Sequence, residues 1–176
     1  MISPTGLVLP PPPGGSERTP LVLVPWAASS FAAWPGAEQG VWVYFAVEKP
    51  RVVTGLRVGV GSASGNAKAG LYSLSGAILT QIAMSAETAV AGSNAKQDIP
   101  FAAAYTVVPF QTYAAFLTVD NGTATFWRTT TAAGAMASGF GISVGKTTIY
   151  VTPPTTQDVS ALAGLSSGYT PIIGLY

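Results

Sequence analysis

Val41-Trp42-Val43-Tyr44-Phe45-Ala46-Val47 decides how the rest of this chain is read. Side chains along a strand alternate between two faces. Here Val41, Val43, Phe45 and Val47 share one face, and Trp42, Tyr44 and Ala46 share the other. Neither face is polar, which predicts a strand covered on both sides. Working outward, Leu56, Val58 and Val60 alternate with Arg57 and Gly59, a strand with one wet face. Ala67, Ala69 and Leu71 then alternate with Lys68, Gly70 and Tyr72. Ser75-Gly76 predicts a two-residue hairpin turn, and Ile78, Thr80, Ile82 and Met84 line one face of the next strand.

The stretch from Ser85 to Asp98 is looser, with Gly92, Ser93 and Asn94 as turn residues. Ile99-Pro100-Phe101 and Tyr105-Thr106-Val107-Val108 read as short strands, and Tyr113, Ala115, Leu117 and Val119 as a clear alternating one. Asp120-Asn121-Gly122-Thr123 predicts a hairpin returning through Ala124 to Arg128, because Asn-Gly accepts positive φ at both turn centres. Ile142 to Val144 and Thr148 to Val151 are later strands, stopped by Pro153-Pro154. No stretch shows an apolar period of 3.6. The Ala-rich runs 83–95 and 132–137 can hold at most a short helix, weakened by Gly92 and Gly134. Short strands separated by turn signals at intervals of roughly 8–12 residues predict an all-β sandwich or barrel, and the antiparallel sandwich is the one expected here.

Residues 1–25 differ from the remainder. Leu7-Val8-Leu9 leads into four prolines and Gly14-Gly15, followed by Leu21-Val22-Leu23-Val24-Pro25. Proline runs favour polyproline II. The expectation is an extended Pro-rich N-terminal arm over 1–25, preceding a sandwich domain over 26–176. Leu7, Val8, Leu9, Leu21, Val22, Leu23 and Val24 are its candidate assembly contacts. Ile172, Ile173, Leu175 and Tyr176 form a second apolar segment expected to dock on the domain itself or on a neighbour.

Composition limits the chemistry. The chain has 176 residues, 48% of them hydrophobic and only 9% charged, against roughly 25% charged in ordinary soluble domains. So few charges predict that much of the surface is covered by other chains, in a homo-oligomer. There is no cysteine and no histidine, which removes disulfides, thiolate nucleophiles and imidazole chemistry. A net charge of +1 lacks the basic footprint of a nucleic-acid binder. Prolines 20, 25 and 35 interrupt the long charge-free stretch from Thr19 to Ala37, so no membrane-spanning helix is expected. Met1 to Pro13 has no positive region and does not read as a signal peptide.

Glu38 and Glu48 bracket the opening strand, about 30 Å apart if it is straight, too far to act on one bond. The P-loop spacing fails at Phe140, and no set of oxygen ligands has the count of a metal site. The expectation is therefore no enzyme, no cofactor and no metal. Trp42, Tyr44, Tyr72 and Trp127 remain as candidates for a platform on which a sugar would stack.

Gly65-Asn66-Ala67-Lys68-Ala69-Gly70-Leu71-Tyr72-Ser73-Leu74-Ser75-Gly76-Ala77-Ile78-Leu79 resembles the central hairpin of β-sandwich modules in bacteriophage tail and head appendage proteins. Tyr113-Ala114-Ala115-Phe116-Leu117-Thr118-Val119 stands where those modules carry a later strand, and Trp42 to Val47 fits their preceding one. Those modules place Pro-Gly ahead of the later tyrosine, where this chain has Gln111-Thr112. The resemblance covers residues 38–128. It implies a jelly-roll-like sandwich on a virion, a structural protein assembled in the host cytoplasm, as a trimer, with other capsid or tail proteins as partners and no catalytic residues to carry over; the alternative is a carbohydrate-binding module that recognises a host-surface glycan.

Overall fold

The computed structural model describes residues 21–22, 29–129, 144–146, 152–164 and 170–176. They form two antiparallel sheets packed face to face, an all-β sandwich. No α-helix occurs among them; a single 3-10 turn spans Val159–Ala161. The runs Leu7 to Leu9, Leu23-Val24, Ala132 to Ala137, Ile142-Ser143 and Thr148 to Val151 lie outside the described residues.

The back sheet is built around strand β3 (Gly40–Ala46), which pairs antiparallel with β9 (Thr112–Val119) from Gly40 opposite Thr118 to Ala46 opposite Thr112. Beyond β9 follow β5 (Asn66–Ser75), β6 (Ile78–Met84) and β12 (Thr156–Asp158); the short β7 (Thr88–Ala89) also pairs with β5. On the other side of β3 lie β11 (Val144–Lys146) and β13 (Ala163–Gly164). The front sheet is built on the long β4 (Arg51–Ser62). One edge of β4 pairs with β8 (Ser93–Val107). Its other edge pairs first with β15 (Ile173–Leu175) and then with β10 (Thr125–Thr129). β1 (Leu21–Val22) pairs with β15, and β2 (Ser29–Ala33) and β14 (Thr170–Pro171) pair with β10.

The alternation of β3 has the predicted consequence. Val41, Val43 and Phe45 enter the core between the sheets, with Leu56, Val58, Val60, Leu71, Ile99, Leu117 and Phe126. Trp42, on the opposite face, belongs to a second buried cluster with Tyr72, Leu79, Ala114 and Phe116. Its rings meet edge-on or tilted: Trp42–Tyr72 centroids lie 4.6 Å apart and Trp42–Phe116 centroids 4.5 Å apart. Such pairs add about 0.5–1.5 kcal/mol beyond the area they bury. Val159 and Leu162 pack against this cluster, and the Tyr72 hydroxyl donates to the Pro154 carbonyl at 2.7 Å. The segment around 153–162 is thus fastened across the outer face of the back sheet.

Several expectations are corrected. The β5–β6 turn is Gly76-Ala77, not Ser75-Gly76, since Ser75 stands opposite Ile78. Gly76 has φ +57, the left-handed position that a tight hairpin gives to glycine. A bulge opposite Leu71/Tyr72 then reverses the faces of β6, so Leu79 and Met84 meet the second cluster while Ile82 and Ala83 meet the first. Asp120-Asn121-Gly122-Thr123 is not a hairpin. β9 ends in the back sheet and β10 starts in the front sheet, so the chain crosses over. The Asn121 side-chain oxygen accepts from the Thr123 and Ala124 backbone N–H groups at 3.0 and 3.1 Å. That is an Asx-type corner, the other use of asparagine at a turn. The loose stretch before Asp98, with the two short strands after it, is mostly one strand, β8. Nor is the arm separate as far as residue 25: Leu21–Val22 is already a strand of the front sheet, opposite Leu175 and Gly174.

Candidate functional site

Three of the proposed contact residues are core residues. Ile172, Ile173 and Leu175 are buried within the chain's own sandwich, because β15 fills the place beside β4. They hold the domain together and present nothing to a neighbour. The glycan platform is not assembled either. Trp42 and Tyr72 are fully buried under the 153–162 segment. Tyr44 packs half-buried against the same cluster, and burial pushes its hydroxyl pKa up to about 12. Trp127 lies in the other sheet.

Two surfaces take their place. The first is the turn between β8 and β9. Pro109 followed by Phe110 at φ +62 has the pattern of a type II turn, whose second centre favours glycine. The Phe110 N–H donates to the Val47 carbonyl at 3.1 Å. The Val108 N–H donates to the Tyr113 hydroxyl, which in turn donates to the Gln111 side chain at 3.0 Å. Those bonds hold a bulky side chain where an L-residue costs about 1–2 kcal/mol. The ring is 88% exposed. Val108 and Val52 are also exposed at this end, Val52 opposite Thr106 near the end of β8. Beside them the β3–β4 connection, Ala46 to Arg51, lines an open depression of about 580 Å³.

The second surface is the outer face of β4. Leu56, Val58 and Val60 point into the core, so Gly55, Arg57, Gly59 and Gly61 face outward. Each glycine lies under an aromatic side chain from a neighbouring strand or its end. A Cβ on Gly55 would stand 2.5 Å from the Tyr176 hydroxyl, one on Gly59 2.6 Å from Cγ and Cδ2 of Trp127, and one on Gly61 2.5 Å from Cδ1 of Phe31. Phe31 stands directly opposite Trp127 across β2 and β10, with ring centroids 6.1 Å apart. The Arg57 guanidinium sits 5.5 Å from the Tyr176 ring centre. It also makes two hydrogen bonds to the Asp98 carboxylate, at 2.5 and 2.7 Å. That pairing is the main reason its pKa is raised. The order along β4 is therefore Tyr176, Arg57, Trp127, Phe31.

Of the predicted residues only Trp127 and Tyr176 belong to this row. Phe31 was missed. Its signal was the alternation Gly55-x-Arg57-x-Gly59-x-Gly61, in which the wet face of a strand is stripped of side chains so that rings can lie on it.

Four of the acids are engaged separately. Asp98 is with Arg57, Glu87 with Lys68 at 3.2 Å, and Asp120 accepts from Asn66. Asp158 accepts from Ser160, which lowers its pKa. Among the described residues no three acidic side chains gather as metal ligands would. No protein-family model matches the chain, and no curated protein matches it.

Proposed function

We propose that the chain is a non-enzymatic structural protein of a bacteriophage particle: a head decoration or appendage protein, or a tail-fibre-like component. It works by apolar contact between copies and with other virion proteins. The observation that carries this reading is the strained, solvent-facing Phe110, flanked by Val108 and Val52. A left-handed backbone at a bulky residue is stored strain, and such strain gathers at functional sites; at an exposed apolar ring the function that fits is contact. An exposed apolar group at a rigid turn gains free energy only when covered, about 25 cal/mol per Å².

Composition supports the same reading, because 9% charge leaves little to keep copies apart. The resemblance to phage appendage modules, whose segments fall on β3, the β5–β6 hairpin and β9, supplies the kind of particle.

Light scattering tests the contact. The full chain is expected as a trimer, and Phe110→Ser as a monomer with unchanged circular dichroism. A monomeric wild type across micromolar concentrations would end the oligomer reading. Antibody labelling of purified particles tests the setting; an absence of label on particles from cells that express the chain would end the virion reading.

A further inference from the structure

We infer that the row Tyr176–Arg57–Trp127–Phe31 on the outer face of the front sheet is a binding site for a neutral, linear oligosaccharide. Outward positions on one strand recur every two residues, about 6.6 Å, so Gly55 to Gly61 spans about 20 Å. That is an extended site, suited to a chain of several sugar units rather than to one small molecule. Its parts alternate between apolar rings and a planar polar group. A pyranose chain alternates in the same way, between C–H faces that lie on rings and hydroxyl edges that need donors and acceptors.

The ligand is neutral because the row's charges cancel. Asp98 occupies two N–H groups of Arg57 and neutralises it. The guanidinium keeps further donors, and the carboxylate keeps lone pairs for hydroxyls. Both side chains still meet solvent, at 28% and 40% exposure. An anionic ligand would have to displace Asp98. A cationic one would meet Arg57.

The row is also fixed in advance. Trp127 and Phe31 rest on a backbone without side chains and against each other, so binding orders little that is not ordered already. Phe31 remains 50% exposed. This site is independent of the Phe110 contact, and either can fail alone.

The test is tryptophan fluorescence of the full chain titrated with cellohexaose, maltohexaose and chitohexaose. Trp34 and Trp42 are buried in the sandwich, and the titrations are run on a Trp26→Phe background, which leaves Trp127 to report on this face. At least one sugar should give a saturable change. Phe31→Ala and Arg57→Met, checked for folding by circular dichroism, should each weaken it about tenfold, equivalent to about 1.4 kcal/mol. Phe110→Gly should leave it unchanged. No saturable change with any of the three sugars overturns the inference, and so does undiminished affinity in Phe31→Ala. If Phe31→Ala instead dissolves the oligomer while no sugar binds, the row is an interface between copies and the inference is wrong.

Discussion

A methyl group added at Gly59 would meet the Trp127 ring at 2.6 Å and its Cβ at 2.9 Å. The indole cannot swing only its far end away, so the ring as a whole must lift from β4. Gly59→Ala is therefore expected to destabilise by about 1–3 kcal/mol, as overpacking does, with the loss read by urea unfolding and the lifted ring by a red shift in fluorescence. Phe110→Gly is expected to act in the opposite direction. It removes a left-handed Phe, worth about 1–2 kcal/mol, against about 0.5–1 kcal/mol of extra chain entropy in the unfolded state. The urea midpoint should stay level or rise while self-association is lost. Tyr44 gives a pH signature. Its folded pKa, about 12, lies above the ordinary 10.0. The native state thus holds its proton over a range where the unfolded state has released it. Stability from this residue is complete below pH 10 and falls as pH rises from there to about 12. Tyr44→Phe should flatten that alkaline loss in a denaturation series.

Strand β8 shows what keeps an open sheet edge from sticking. It pairs along its length with β4, and among the described residues its other side meets only a bridge from Phe101 to Ser85. Lys96, Asp98 and Pro100 lie exposed along it, and charge and proline are the usual protection of an edge. Replacing Lys96 with Thr and Pro100 with Val should leave the fold intact and shorten the lag of aggregation followed by thioflavin fluorescence. The same strand marks a limit of the sequence. Pro100 and the polar run before it broke the period-two pattern, because an edge strand with one side in solvent need not alternate cleanly. β3, β5 and β9 were legible for the converse reason: buried on both faces or strictly alternating, they leave little choice of register. Asn121-Gly122 misled because asparagine serves a hairpin and an Asx corner equally well, and only the partner of Thr125 to Thr129 decides between them. The two apolar faces of β3 announced that Trp42 would be covered, but nothing in the sequence says that the segment around 153–162 supplies the cover, so Trp42 and Tyr72 still looked like a platform.

For the molecule as a whole, β14 and β15 carry weight out of proportion to their length. Ile172, Ile173 and Leu175 are buried. At about 1.5–3 kcal/mol each they rival the net stability of a typical domain, about 5–15 kcal/mol. Removing residues 170–176 should abolish the cooperative transition in calorimetry and expose dye-binding apolar surface. The candidate site was less legible than the fold, since the aromatic row joins residues 31, 57, 127 and 176. Only the pairing of four strands, β2, β10, β4 and β15, brings them onto one face.

That pairing also imposes an order in time. β15 lies between β1 and β4, with Leu175 opposite both Leu21 and Leu56. A ribosome delivers Leu21 and Leu56 long before Leu175, so β4 emerges with one flank open and must wait. Contacts this distant in sequence close slowly, and during synthesis the unfilled slot is a template for any passing strand. The chain is thus most exposed to chaperones, or to mispairing with another copy, until β15 enters the slot between β1 and β4.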